Sequence, residues 1–99
     1  MTIKLINRGT EGELLLDGRL DAMTSPEAEE VFLKMAERFE TLTLNMEKLQ
    51  YISSAGLRVL KKTYMASVKK NGTIELSHVN KMVMEVLEMT GFAGLLKIV

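Results

Sequence analysis

Tyr51-Ile52-Ser53-Ser54-Ala55-Gly56-Leu57-Arg58 joins the end of an extended apolar segment to the start of a long helical pattern. Upstream, Leu42, Leu44 and Met46 alternate with Thr43 and Asn45, the period of a strand, and Leu49 and Ile52 lead the chain back towards the core. Downstream, Leu57, Leu60, Tyr64 and Val68 fall on one helical stripe, with Arg58, Lys61, Lys62, Lys69 and Lys70 mostly off it. The stretch therefore reads as a strand-to-helix turn. Ser53 or Ser54 is its N-cap, because a hydroxyl oxygen there accepts a backbone N–H that the helix leaves unpaired. If Ser54 caps, the third helical residue is Leu57, so no capping box forms. Gly56 is the odd residue. Glycine costs about 1 kcal/mol against alanine inside a helix, so something must approach the backbone closely there.

Working towards the N-terminus, Thr24, Ser25 and Pro26 announce a helix over residues 24–39, with Glu27, Glu29 and Glu30 where the helix dipole favours negative charge. Its apolar stripe is Ala28, Val31, Phe32, Met35 and Phe39. Before it, Ile3 and Leu5, the turn residues from Arg8 to Gly12, and Leu14-Leu15-Leu16 form an opening β-hairpin. The lack of alternation at Leu14-Leu15-Leu16 predicts a strand covered on both faces or central in the sheet.

Towards the C-terminus, Asn71-Gly72 ends the central helix, expected over about 54–70, and Thr73 to Ser77 reads as a strand. Asn80 caps a helix through Met89 with Val83, Val86 and Leu87 facing inward and Gly91 as its terminator. Leu95 to Val99 closes the chain as a short strand. The element order is ββαβαβαβ: one α/β domain over residues 1–99, with parallel strands joined by helical crossovers. Three helices of a few turns cannot cover both faces of five strands, so part of the sheet is expected to stay open.

Ninety-nine residues suffice for one modest core. Cysteine is absent, which removes disulfides, thiolate metal sites and cysteine nucleophiles. No apolar run approaches the roughly 20 residues that span a bilayer, and the first residues lack a signal-peptide core, so a cytoplasmic location without membrane contact is expected. Formal charge is zero, but residues 1–50 carry ten acids and six bases and residues 51–99 three acids and seven bases. That asymmetry is mild and aromatics are few, which argues against nucleic-acid binding. Eight methionines are read mainly as core filling, and Met82, Met84 and Met89 as core and helix packing, with a soft partner-facing patch as the alternative.

Catalysis has little to draw on. Ser53-Ser54-Ala55-Gly56 is not a nucleophile elbow, and an activated serine needs a base, for which His78 is the only histidine. A small serine-dependent hydrolase is the reading from the enzyme class. Asp17 and Asp21 straddle a turn and are read as bonding its backbone. Neither a metal-ligand cluster nor a glycine-rich phosphate loop is present, so no metal or cofactor is expected. What remains is a hydroxyl on which another protein acts. A phosphate adds about −1.5 to −2 charge, which a helix N-terminus tolerates and a closely packed or acidic partner does not.

Leu16-Asp17-Gly18-Arg19-Leu20-Asp21, Leu44-Asn45-Met46, Tyr51 to Leu57, and Met89-Thr90-Gly91-Phe92, in this order and spacing, resemble the STAS domains of bacterial anti-sigma-factor antagonists. The resemblance spans nearly the whole chain. It implies a mixed sheet of about five strands with three amphipathic helices packed mainly on one side. It also implies partner switching: the unphosphorylated antagonist binds an anti-sigma factor that is a serine kinase, releasing a sigma factor, and phosphorylation ends the binding until a PP2C-type phosphatase restores it. By the same resemblance Ser54 matches the phosphoacceptor, Asp21 the aspartate in the loop beside it, and Gly56 the glycine of the first helical turn, which is expected to let a binding partner come close. Ser53 stands where many antagonists have an aspartate and becomes a second possible acceptor, and Ala55 stands where another hydroxyl residue often occurs. Arg58, one turn beyond Ser54, either pairs with a phosphate on it or is an ordinary solvated helix residue. The family reading is thus a non-enzymatic antagonist, monomeric or weakly dimeric. Its alternative is a STAS scaffold or sensory module without sigma-factor control.

Overall fold

The computed structural model describes residues 1–99. The elements are β1 (Thr2–Arg8), β2 (Glu11–Leu20), α1 (Ser25–Arg38), β3 (Thr41–Ile52), α2 (Ser54–Lys69), β4 (Thr73–Ser77), α3 (Lys81–Met89), α4 (Phe92–Leu95) and β5 (Lys97–Ile98). The expected order holds, with α4 added as a single turn between α3 and the last strand. Gly91, at φ 82°, ends α3 as expected and starts α4.

One sheet runs in the order β1-β2-β3-β4-β5. β1 and β2 are antiparallel, and every other neighbouring pair is parallel. Right-handed crossovers that always step to the next strand in one direction put their helices on a single face. The burial pattern agrees: Leu14, Leu16, Leu42, Leu44, Met46, Ile74 and Leu76 are buried beneath the helices. Leu15 faces the other way and is only half-buried, so the Leu14-Leu15-Leu16 run alternates after all, within the sheet interior between β1 and β3.

Beneath the helices, Ala28, Phe32, Ala36 and Phe39 of the α1 segment and Val83 and Leu87 of α3 complete the core. α2 departs from its predicted stripe. Leu57 and Leu60 are buried, but Tyr64 is half-buried and Val68 exposed, while Gly56, Val59, Thr63 and Ser67 take inward positions. Thr63 fits there because its hydroxyl donates to the Val59 carbonyl at 2.8 Å, satisfying the polar atom within the helix. Met82 and Met89 are exposed rather than core-filling.

The helix ends follow the sequence signals. Asn80 Oδ1 accepts the Val83 N–H at 2.9 Å, and its Nδ2 donates to the Leu49 carbonyl at 2.7 Å, tying α3 to β3. Asn71 takes the left-handed conformation (φ 63°) after α2, and the Gly72 N–H donates to the Ser67 carbonyl at 2.7 Å. Thr24, by contrast, flanks α1 without capping it through its side chain.

Candidate functional site

β2 and β3 end side by side. Arg19 registers with Tyr51 and Leu20 with Ile52, and the Ser53 N–H continues the pairing by donating to the Leu20 carbonyl at 2.9 Å. The β2–α1 loop, with Asp21 and Met23, therefore emerges beside the β3–α2 turn. Arg19 stacks over the Tyr51 ring, 4.5 Å from its centroid, closing the flank between the two.

The two serines of the turn have different tasks. Ser53 is the N-cap in extended conformation, and its Oγ accepts the Gly56 N–H at 3.4 Å while its carbonyl accepts that of Leu57 at 2.9 Å. It is half-buried. Ser54, the first helical residue, is exposed and its hydroxyl makes no hydrogen bond with the protein. Of the four N–H groups that open this helix end, Ser53's goes to Leu20 and Gly56's to the Ser53 hydroxyl. Those of Ser54 and Ala55 are left, next to the free hydroxyl.

The close approach expected at Gly56 is made by the chain itself. A Cβ at this position would lie 2.7 Å from the Leu20 carbonyl oxygen, 2.8 Å from Leu20 Cγ and 2.9 Å from Ile52 Cγ1. Gly56 is buried; it sets α2 against the end of β2 and so fixes the height at which Ser54 leaves the surface.

Asp21 organises the neighbouring loop. Its Oδ1 accepts the N–H groups of Met23 at 3.0 Å and Thr24 at 3.2 Å, as an Asx turn does, and Arg19 Nε lies 3.6 Å from Oδ2. The Thr24 hydroxyl accepts the Asp21 N–H at 3.0 Å and donates to the Arg19 carbonyl at 2.7 Å. These bonds, that of the Thr24 N–H foremost, hold the Asp21 carboxyl below the usual aspartate range. Thr24 was predicted as a helix cap; the Asp-x-x-Thr spacing signals the loop lock it forms instead. The lock presents Met23, 90% exposed, on a fixed frame, and this residue had no role in the sequence reading.

Between the starts of α1 and α2 lies an open cleft of about 300 Å³, bordered by Ser25, Glu29, Ala55, Arg58 and Lys62. Lys62 Nζ bonds Glu29 across it at 2.9 Å. Arg58 is exposed on its rim without a carboxylate partner. His78 is exposed beyond the end of β4, at φ 53°, and bonds neither serine. The contact that would activate a serine nucleophile is therefore not formed. Asp17 is exposed on β2, and no group of three histidine or acidic side chains is placed to hold a metal. No helix is long and apolar enough to cross a membrane.

A family profile described as the STAS domain matches residues 5–99. A Bacillus subtilis (strain 168) protein named anti-sigma-B factor antagonist is 24% identical over 81 residues, spanning 82% of this chain and 74% of its own. Among solved structures, a Thermotoga maritima protein described as a candidate anti-sigma factor antagonist superposes with a TM-score of 0.90 at 16% identity, covering 97% of this chain and 84% of its own. The Bacillus cell fate determinant SpoIIAA in its phosphorylated form superposes with a TM-score of 0.76 at 15% identity, covering 99% and 91%. At these identities the superpositions speak to the fold.

Proposed function

The chain belongs to the STAS domain family, and we propose that it acts within it as an anti-sigma-factor antagonist switched by phosphorylation of Ser54. In its unmodified form it binds an anti-sigma factor that is also a serine kinase, freeing a sigma factor, and a PP2C-type phosphatase reverses the modification. The name of the Bacillus subtilis relative supports the antagonist role, and the phosphorylated structural neighbour supports a phosphate-based switch.

The observation that carries the choice of residue is the division of labour between the serines. Ser53 holds the helix start with its Oγ, whereas the Ser54 hydroxyl is exposed and unbonded. A phosphate on Ser54 meets the unpaired N–H groups of Ser54 and Ala55 and the positive end of a 16-residue helix. Arg58, one turn further and unpaired, is within reach of its oxygens. The domain itself therefore accommodates the added charge, stabilised locally by about 0.3–1 kcal/mol. A partner packed over Ser54 does not, because the phosphate must then be stripped of water and faces the partner's own charges. Asp21 shapes the adjoining loop and Gly56 seats the helix, so both act by placing Ser54 rather than by touching the phosphate.

The test is intact-mass measurement after incubation with ATP and soluble extract of the host. Wild type and Ser53→Ala gain one phosphate mass and Ser54→Ala gains none. Gain by Ser54→Ala but not by Ser53→Ala moves the acceptor to Ser53. No gain by wild type favours the scaffold or sensory role instead.

A further inference from the structure

β3 is longer than the strand it pairs with. Leu15 registers with Asn45 but Asp17 with Lys48, so β3 carries one extra residue there. This bulge opens onto the face of the sheet away from the helices. Leu15 and Asn45 floor a depression of about 250 Å³, the most enclosed on the molecule. Lys4 of β1 stands on one border, Glu47 and Lys48 of the bulge on the other, and Asp17 of β2 between them. Asn45 pins the arrangement: its Oδ1 accepts the Glu47 N–H at 3.1 Å and its Nδ2 donates to Glu13 at 2.9 Å. Bulges re-aim side chains and are common beside binding sites.

Four charges of both signs surround this depression, and none of them is paired. Lys4, Asp17, Glu47 and Lys48 take part in no ion pair of the chain. Asp17 and Lys48 are register partners, a placement from which opposite charges ordinarily interact across strands, yet they stay apart. Elsewhere on the sheet such charges do meet: Arg8 pairs with Glu13 at 2.7 Å and Lys97 with Glu75 at 2.9 Å. A simple anion in the depression is drawn by the two lysines and repelled by the two carboxylates, and a simple cation the reverse. A molecule with one charge of each sign answers both. The volume lies just below the roughly 300–1,000 Å³ that encloses drug-sized ligands, so the occupant is smaller than these. A free α-amino acid has the size and both charges, and its side chain can rest on Leu15.

We propose that the depression at the β3 bulge is a binding site for a free α-amino acid. Asp17 and Glu47 hold its ammonium group, and Lys4 and Lys48 hold its carboxylate. Ser54 does not border this depression, so the site gives the domain a small-molecule contact separate from the phosphate.

The test is a two-dimensional 15N–1H NMR titration of the full chain with the common L-α-amino acids, first in pools and then singly. Sodium acetate and methylammonium chloride, each with one of the two charges, are the controls. At least one amino acid shifts the backbone signals of Lys4, Leu15, Asp17, Glu47 and Lys48 saturably, together with the side-chain NH2 of Asn45, and outbinds both controls at least about tenfold. Asp17→Asn and Lys48→Gln each lower its affinity at least about fivefold. Both residues are exposed, and circular dichroism verifies that the variants are folded. Absence of saturation by every amino acid up to about 10 mM overturns the proposal. Acetate or methylammonium binding as tightly as the amino acid overturns it too, because the depression is then a site for a simple ion. Shifts centred elsewhere on the chain, or undiminished binding by both variants, have the same force.

Discussion

Gly56 lies so close to the Leu20 carbonyl that a Cβ there would come within 2.7 Å of the oxygen. The neighbour is backbone at the end of β2 and cannot rotate away. Gly56→Ala gains about 1 kcal/mol of helix propensity, but overpacking of this kind costs about 1–3 kcal/mol, and the backbone contact puts this site at the upper end. The variant is expected to lose about 2 kcal/mol net, a fall in Tm of roughly 10 °C for a domain this size. Thermal unfolding followed by circular dichroism checks it; an unchanged or raised Tm would mean that α2 seats on β2 less tightly than described.

The capping serine and the free serine separate by stability. Ser53→Ala removes the oxygen that accepts the Gly56 N–H, and loss of such a cap costs about 0.5–2 kcal/mol. The 3.4 Å length of this bond places the effect in the lower half of that range. Ser54→Ala removes no bond and is expected to stay within about 0.5 kcal/mol of wild type. Urea titration of the two variants gives the ordering directly, and the reverse ordering would exchange the roles assigned to the two hydroxyls.

How these roles were distributed was only half legible in the sequence. The strand over Thr73–Ser77, the Asn80 cap and the turn at Asn71-Gly72 announce themselves because residue type and backbone need coincide. The turn at residues 51–58 was equally plain, and so was the need for glycine in it. Which neighbour imposes that need was not, because Leu20 is remote in sequence and meets Gly56 only once β2 and β3 pair. The inner seam of α2 was hidden for another reason. Thr63 and Ser67 are polar by type, and a hydrophobicity pattern passes over them in favour of Tyr64 and Val68, which the structure leaves half-buried and exposed. Thr24 misled in the same way: its type suits a cap, but Asp21 and Arg19 supply nearer partners. Of the site, Ser53 and Ser54 could be named from the sequence, but the assignment of one as cap and the other as free hydroxyl required the backbone.

On the open face of the sheet, Glu13 accepts from Asn45 Nδ2 at 2.9 Å and from Arg8 Nη1 at 2.7 Å. The Asn45 bond first, and then Arg8, hold its carboxyl below the usual glutamate range, against the opposing effect of burial. A carboxylate with a depressed value in the folded state stabilises fully above its unfolded value, about 4.3, and loses that contribution as pH falls through the folded value. The Tm difference between wild type and Glu13→Gln is therefore expected to be level from about pH 7 to pH 5 and to shrink below about pH 4. A difference that widened on acidification would contradict the bonding described for Glu13.

The most direct measurement of the proposed switch is the affinity, by isothermal titration calorimetry, of a host kinase isolated by its activity on this chain for the unmodified and the Ser54-phosphorylated forms. Under the proposed switch, repulsion and desolvation of the phosphate would cost about 3 kcal/mol, so the phosphorylated chain is expected to bind on the order of 100-fold more weakly. Equal affinity of the two forms would contradict the switch.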